Sequence, residues 1–265
     1  MSIVGEGPLS EGEGPVGAPG RRDVGVIIPA AGSGVRFGQR KAFLELSGRP
    51  LLFHVLRAFT AVEDVREIAI AVAADEVGKT REGIREWAGG MAPSAGAAAG
   101  RGREAPRISV VAGGRRRQDS VLEGLWALSG DIGPVLVHDA ARPLIHPEDI
   151  RNIIAAIRHC GAAVLGFPAT DSVKEEREGF VARELERSHV WLVQTPQGAR
   201  AEILRKAFED GLRSGLEVTD EVGLLHAQGI PVRLVEGRRT NLKITFPEDL
   251  PLAAFMLEKI SASRS

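Results

Sequence analysis

Cysteine is almost missing from this chain. Cys160 is the single example in 265 residues, which excludes an intramolecular disulfide framework and any metal site built from several thiolates. A reducing cytoplasm is the compartment expected from that usage. Net charge is missing as well: the formal balance is −1, so nothing draws the whole chain to nucleic acid or an anionic membrane, and phosphate chemistry must come from local clusters of cations. Residues 1–23 have neither the apolar core of a secretory signal nor the basic amphipathic pattern of an import sequence. Rich in Gly, Pro and Glu, they are expected to form a disordered N-terminal tail. No Ser-His-Asp or Cys-His arrangement stands out, and the six histidines are read as non-catalytic.

What is present is a regular alternation. Hydrophobic residues make up 43% of the chain, enough for one core or one core with an appendage. Short apolar runs at 24–30, 67–73, 107–111, 134–138, 161–167, 190–194 and 232–236 read as strands. Helical spacing appears at 50–59, 75–88, 119–128, 147–159, 201–211, 220–228 and 247–260. Strands alternating with helices imply an α/β fold, a mostly parallel sheet covered on both faces, with ligands at the carboxyl ends of the strands. The low-complexity stretch 90–105 is expected to be a flexible surface insertion, because the alternation resumes after it. Residues 24–261 are therefore expected to form one domain. Polar residues 169–189, turning at Glu178-Gly179, read as a hairpin arm.

The loops after strands carry the candidate chemistry. The first strand empties into AAGSGVRFGQRK, where Gly32 and Gly34 allow backbone N–H groups to approach an anion and Arg36 and Lys41 would neutralise it. This loop lacks the GKS or GKT ending of a P-loop, and a dinucleotide fingerprint from Gly32 would need glycine where Phe37 stands. A tight turn with solvated cations is the plainer reading of it. A second Gly-Gly turn, GGRRRQDS at 113–120, follows the third strand and places Ser120 and a basic run on the same edge. The fourth strand delivers Asp139, which fits either a hard cation such as Mg2+ sharing its sites with phosphates and water, or a turn cap paired with Arg142.

Six motifs in order narrow these readings. AAGSGVRFGQRK, the GG-x-x-R-x-DSV stretch at 113–121, VHDAARP at 137–143, TPQ at 195–197, TDE at 219–221 and NLKITFPEDL at 241–250 together resemble the 2-C-methyl-D-erythritol 4-phosphate cytidylyltransferase family. The resemblance runs from Val24 to the last helix. It implies a three-layer Rossmann-like nucleotidyltransferase fold, transfer of CMP from CTP to methylerythritol phosphate in non-mevalonate isoprenoid synthesis, a divalent cation such as Mg2+, and a homodimer joined through the 169–189 arm.

By the same resemblance Ala30, Ala31, Gly32 and Gly34 would cradle CTP, with Arg36 and Lys41 on its phosphates and Lys243 completing the catalytic cations. Gly114, Arg117 and Ser120 would line the cytosine and ribose pocket, Asp139 would hold the metal, and Ala140 would lie beside it. Arg142, Ser172, Arg187, Thr195 and Thr219, together with Lys243, would handle the sugar phosphate, Arg187 reaching across the dimer. The chain departs from the family pattern with Arg40-Lys41-Ala42 in place of Pro-Lys-Gln, Ser172 in place of threonine, and Arg115 after the Gly-Gly pair where an acid is common. The nearest rival is a relative acting on ribitol 5-phosphate, against which Ala140 and Ala141 speak. A non-catalytic nucleotide-binding relative is the other.

Overall fold

The computed structural model describes residues 22–32, 40–90 and 104–262. Residues 1–21 of the expected tail, positions 91–103 of the expected insertion, and Gly34 and Arg36 lie outside the described residues.

β1 (Val24–Pro29) is buried from Val24 to Ile28. It pairs in parallel with β4 (Val65–Val72) on one side and β6 (Pro134–Val137) on the other. Alternation divides its side chains between two cores, as a sheet covered on both faces requires. Val24, Val26 and Ile28 join the cluster under α1 (Leu51–Thr60), α2 (Val77–Gly90) and α4 (Pro147–Cys160). Ile27 faces α3 (Arg117–Ala127), α5 (Ala201–Ser214) and α6 (Glu221–Ala227). α3 comes close to β1 because Gly124 has no Cβ; one placed there would strike Ile27.

The sheet order is β11-β7-β10-β6-β1-β4-β5, where β5 is Arg107–Ala112, β7 Ala162–Pro168, β10 Trp191–Arg200 and β11 Arg233–Glu236. β10 runs antiparallel to β6 and β7, and the other pairs are parallel. From β1 the chain moves outward to β4, whereas from β6 it moves the opposite way to β7. The loops leaving these neighbouring strands diverge and open a crevice at their carboxyl ends, the topological switch point where α/β proteins bind ligands.

The expected helices are found with small shifts at their ends. Pro147 begins α4 behind a His146 cap, and Gly161 ends it at φ 89°. The last helix, α7 (Asp249–Ala262), starts two residues after Pro247, where Asp249 accepts the Thr245 and Phe246 N–H groups at 2.7 and 2.8 Å. The expected arm is a hairpin of β8 (Lys174–Arg177) and β9 (Phe180–Glu184), turning through Glu178 and Gly179 at φ 54° and 84°.

Three features depart from the sequence reading. Arg22 and Asp23, assigned to the tail, are tied into the fold: Asp23 is buried and accepts a 2.7 Å bond from Arg158. A short hairpin of β2 (Glu45–Leu46) and β3 (Arg49–Pro50) precedes α1 and packs with α7 in a third, smaller core. β10 continues through Pro196 to Arg200; its pairing with β7 shifts register between Val193 and Gln197, which accommodates the residue that reads as a strand breaker.

Candidate active site

The crevice beyond β1 and β6 is a cleft of about 430 Å3. It collects pieces far apart in sequence: Ala30, Ala31 and Gly32 after β1, Lys41 and Ala42 from the following turn, Gly114 to Arg117 and Ser120 at the start of α3, Asp139 to Ala141 after β6, and Lys243. The small residues have a steric reason. A Cβ on Gly113 would lie 2.7 Å from both the Ala31 Cβ and the Ser120 Oγ, and one on Gly114 would strike Asp119. The two βα loops therefore approach at their backbones.

The electrostatic centre is Asp139. Its Oδ2 accepts from Lys243 Nζ at 2.8 Å and its Oδ1 from Arg117 Nε at 3.1 Å. Burial alone would raise this acid, but Arg117 and Lys243 hold it well below the usual carboxylate range. Arg117 gives its terminal nitrogens to Glu221: Nη1 lies 2.9 and 3.1 Å from the two carboxylate oxygens and Nη2 3.1 Å from Oε2. Burial raises Glu221, opposed by Arg117, and the Gln197 amide donates to it at 2.5 Å. Two carboxylates, one guanidinium and one ammonium thus balance, and Lys41 adds positive charge beside the small-residue loop. The Lys41 ammonium donates to the Ile244 and Thr245 carbonyls at 3.4 and 3.2 Å.

A buried chain of hydrogen bonds holds the Asp139 backbone. The Asp139 N–H donates to Thr195 Oγ1 at 3.1 Å, and Thr195 lies 3.1 Å from His138 Nδ1. The other ring nitrogen, Nε2, faces the Arg142 carbonyl at 3.1 Å. Burial lowers His138 to about 4, so the ring is neutral near pH 7. A carbonyl can only accept; Nε2 therefore carries the proton, and the Thr195 hydroxyl donates to Nδ1.

A family model for 2-C-methyl-D-erythritol 4-phosphate cytidylyltransferase matches residues 24–259. The chain belongs to that family. The cytidylyltransferase of Pelotomaculum thermopropionicum is 41% identical over 238 residues, covering 89% of this chain and 94% of that protein. That of Acidobacterium capsulatum is 39% identical over 249 residues, covering 89% and 98%. Among solved structures, the 4-diphosphocytidyl-2C-methyl-D-erythritol synthase of Anaerococcus prevotii matches with a TM-score of 0.75 at 28% identity, over 89% of this chain and 96% of that one. The Thermus thermophilus cytidylyltransferase gives 0.68 at 35%, over 88% and 98%. The Rossmann-like nucleotidyltransferase fold expected from the motifs is the fold found.

In this member of the cytidylyltransferase family, the cleft unites Ala30, Ala31, Gly32, Lys41, Gly114, Arg117, Ser120, Asp139, Ala140 and Lys243. The reading of Asp139 as a cap paired with Arg142 is corrected: its carboxylate pairs with Arg117 and Lys243, while the Arg142 side chain donates to the Asn241 carbonyl at 2.9 Å. Thr195 is buried behind the cleft, with its hydroxyl engaged by His138 and the Asp139 backbone. Arg142 likewise stands outside the cleft lining. Ser172, Arg187 and Thr219 are exposed and do not line it; Arg187 Nη1 donates to the Thr170 carbonyl at the base of the arm, at 2.8 Å.

Sequence reasoning missed Glu221, Gln197 and Asn241. Glu221 stands in the TDE motif, in which Thr219 is the residue the resemblance points to, and Gln197 ends TPQ. Asn241 is fully buried, donating to the Thr195 carbonyl at 2.8 Å and to Gln194 Oε1 at 3.2 Å, so it secures β10 to the segment bearing Lys243. A polar residue at the start of an apolar helix was the available signal for Glu221, but its partner lies 104 positions away.

Asp139 is the carboxylate that lines the cleft, and no group of three or more acidic, histidine or cysteine side chains able to hold a metal occurs among the described residues. That donor set suits Mg2+, which is commonly held by one or two carboxylates and completes its shell with substrate phosphates and water.

Proposed function

We propose that this chain transfers CMP from CTP to 2-C-methyl-D-erythritol 4-phosphate, giving 4-diphosphocytidyl-2-C-methyl-D-erythritol and pyrophosphate, in non-mevalonate isoprenoid precursor biosynthesis. The observation that carries the reading is the convergence of Lys41, Lys243 and Asp139 on one small-residue loop at the switch point of the sheet. A phosphate monoester has a second pKa near about 6, so the attacking substrate is already largely a dianion at neutral pH. No general base is required. The problem is charge: a dianion must approach the α-phosphate of CTP in line while negative charge gathers on the departing pyrophosphate.

The residues divide that work. Ala30, Ala31 and Gly32 admit the triphosphate to backbone N–H groups, and Lys41, with Arg36 from the same loop, neutralises it. Asp139 would hold Mg2+, which when bound supplies further positive charge to the phosphates. Lys243 sits beside Asp139 at the place where the second phosphate must enter. Gly114, Arg117 and Ser120 form the wall assigned to the nucleoside, and Ala140 and Ala141 favour methylerythritol phosphate over ribitol 5-phosphate. Arg142, Thr195 and Thr219 support the sugar-phosphate end. Ser172 and Arg187, on the exposed arm, would complete that end from a second copy of the chain.

A homodimer through the arm belongs to this reading. Phe180 and Val181, neighbours in β9 and so on opposite faces of the hairpin, are 78% and 69% exposed, and each face of the arm thus offers an apolar side chain to a partner. We place the enzyme in the cytoplasm, in keeping with the unpaired Cys160; no described helix is long and apolar enough to cross a membrane. Pyrophosphate release assayed with CTP and each sugar phosphate tests the reaction. Release with methylerythritol phosphate and not with ribitol 5-phosphate is expected; the reverse preference, or no release with either, would overturn it.

A further inference from the structure

Arg117 is shared unequally between two acids. It offers Asp139 only its Nε, at 3.1 Å, and turns both terminal nitrogens to Glu221. The forked face of a guanidinium prefers to grip one carboxylate through two parallel bonds. Here that grip is taken by Glu221, 2% exposed and held from its other side by the Gln197 amide. Lys243 already occupies the second oxygen of Asp139. Without Glu221, Arg117 would be free to close its fork on Asp139, adding terminal-nitrogen bonds to a carboxylate whose two oxygens already accept one bond each from Arg117 Nε and Lys243.

We propose that Glu221 is a positioning residue that holds the Arg117 fork away from Asp139 and so leaves Asp139 able to take a divalent cation together with CTP. The inference rests on the reading given under Proposed function. It assigns the third residue of the TDE motif a part that is exerted entirely through Arg117. Glu221 itself does not line the cleft.

The test is the ratio of CTP dissociation constants without and with Mg2+, measured by titration calorimetry on the full chain in the absence of sugar phosphate. The ratio isolates the cation's contribution from any contact that Arg117 makes to the nucleotide. Glu221→Gln should lower it on the order of tenfold, the effect expected when an outer partner of a metal ligand is lost. Adding Arg117→Met to Glu221→Gln should restore it to the value of the unmutated chain, even if CTP binds more weakly overall. Because the double variant removes both charges of the buried pair, it leaves neither uncompensated and decides the case where the single variant does not fold. An unchanged ratio in Glu221→Gln, or a ratio in the double variant still lowered tenfold, overturns the proposal. An unmutated chain that binds no CTP in either condition would instead overturn the functional reading.

Discussion

Lys243 and Asp139, 104 residues apart in the chain, meet at 2.8 Å, Nζ to Oδ2, in the lining of the cleft. The backbone explains the meeting. Ile244 N donates to the Ala141 carbonyl at 2.8 Å, so the segment bearing the lysine is attached to the loop bearing the aspartate. The pair puts a cation and an anion together in the lining of the cleft proposed to receive the two phosphates.

Removing either of these charges, or that of Lys41 in the same cleft, should therefore slow chemistry more than it disturbs the fold. Lys41→Ala, Lys243→Ala and Asp139→Ala are each expected to lower kcat on the order of 10² or more, with a far-ultraviolet circular dichroism spectrum like that of the unmutated chain. A variant that keeps near-normal kcat removes its residue from the mechanism.

The arm predicts a separation of the two substrates. Arg187 and Ser172 lie on exposed chain outside the cleft, and the assignment puts them on the sugar phosphate of a partner's site. Arg187→Ala should raise KM for methylerythritol phosphate well above any change in KM for CTP; equal changes in both would count against the assignment.

The same arm predicts assembly. Replacing its exposed apolar pair, Phe180→Ser with Val181→Ser, should shift the sedimentation coefficient from dimer to monomer, since it removes the surface proposed to be shared. An unmutated chain that sediments as a monomer would rule out the dimer.

Stability should respond to pH through Glu67. Buried in β4, it accepts the Ser129 N–H at 3.0 Å and pairs with Arg107. Burial would raise it, but the Ser129 and Arg107 bonds hold it below its ordinary value of 4.5. A carboxylate depressed in the folded state adds stability above its unfolded pKa and loses it as pH falls through the folded value. Glu67→Gln should accordingly cost about 1–3 kcal/mol at pH 7 in urea unfolding. The difference between the two proteins should shrink as pH drops below 4.5; one that stays constant down to the acid transition would remove Glu67 from the pH dependence.

The close approach of the two βα loops is also open to test. Gly113→Ala would bring a methyl group to 2.7 Å from Ala31 and Ser120, pushing apart the walls assigned to CTP. It is expected to cost about 1–3 kcal/mol of stability and to raise KM for CTP; no change in either would show that the loops yield without consequence.

The sequence by itself determined the alternation of strands and helices, the small-residue loop at 30–32 and the placing of Lys41, Ser120 and Asp139 after strands. Those features are local: hydrophobic period, strand length and the small side chains of a turn act on neighbours in the chain. It also determined the family, through motifs kept in order. What it left open depends on contacts that no local pattern specifies. Glu67 reads as the first residue of a strand, and only packing brings it to Ser129 and Arg107. The antiparallel course of β10 follows from its neighbours β6 and β7, and Pro196 obscures its continuation. Thr195 reads as a substrate ligand in its motif, yet the packing of β10 against β6 spends its hydroxyl on His138 and the Asp139 backbone. Above all, the tertiary structure decided which charge meets which. Arg117 could have served phosphate, base or carboxylate; the folding of α6 against β10 puts Glu221 beneath it, because a carboxylate buried there must be met by a cation.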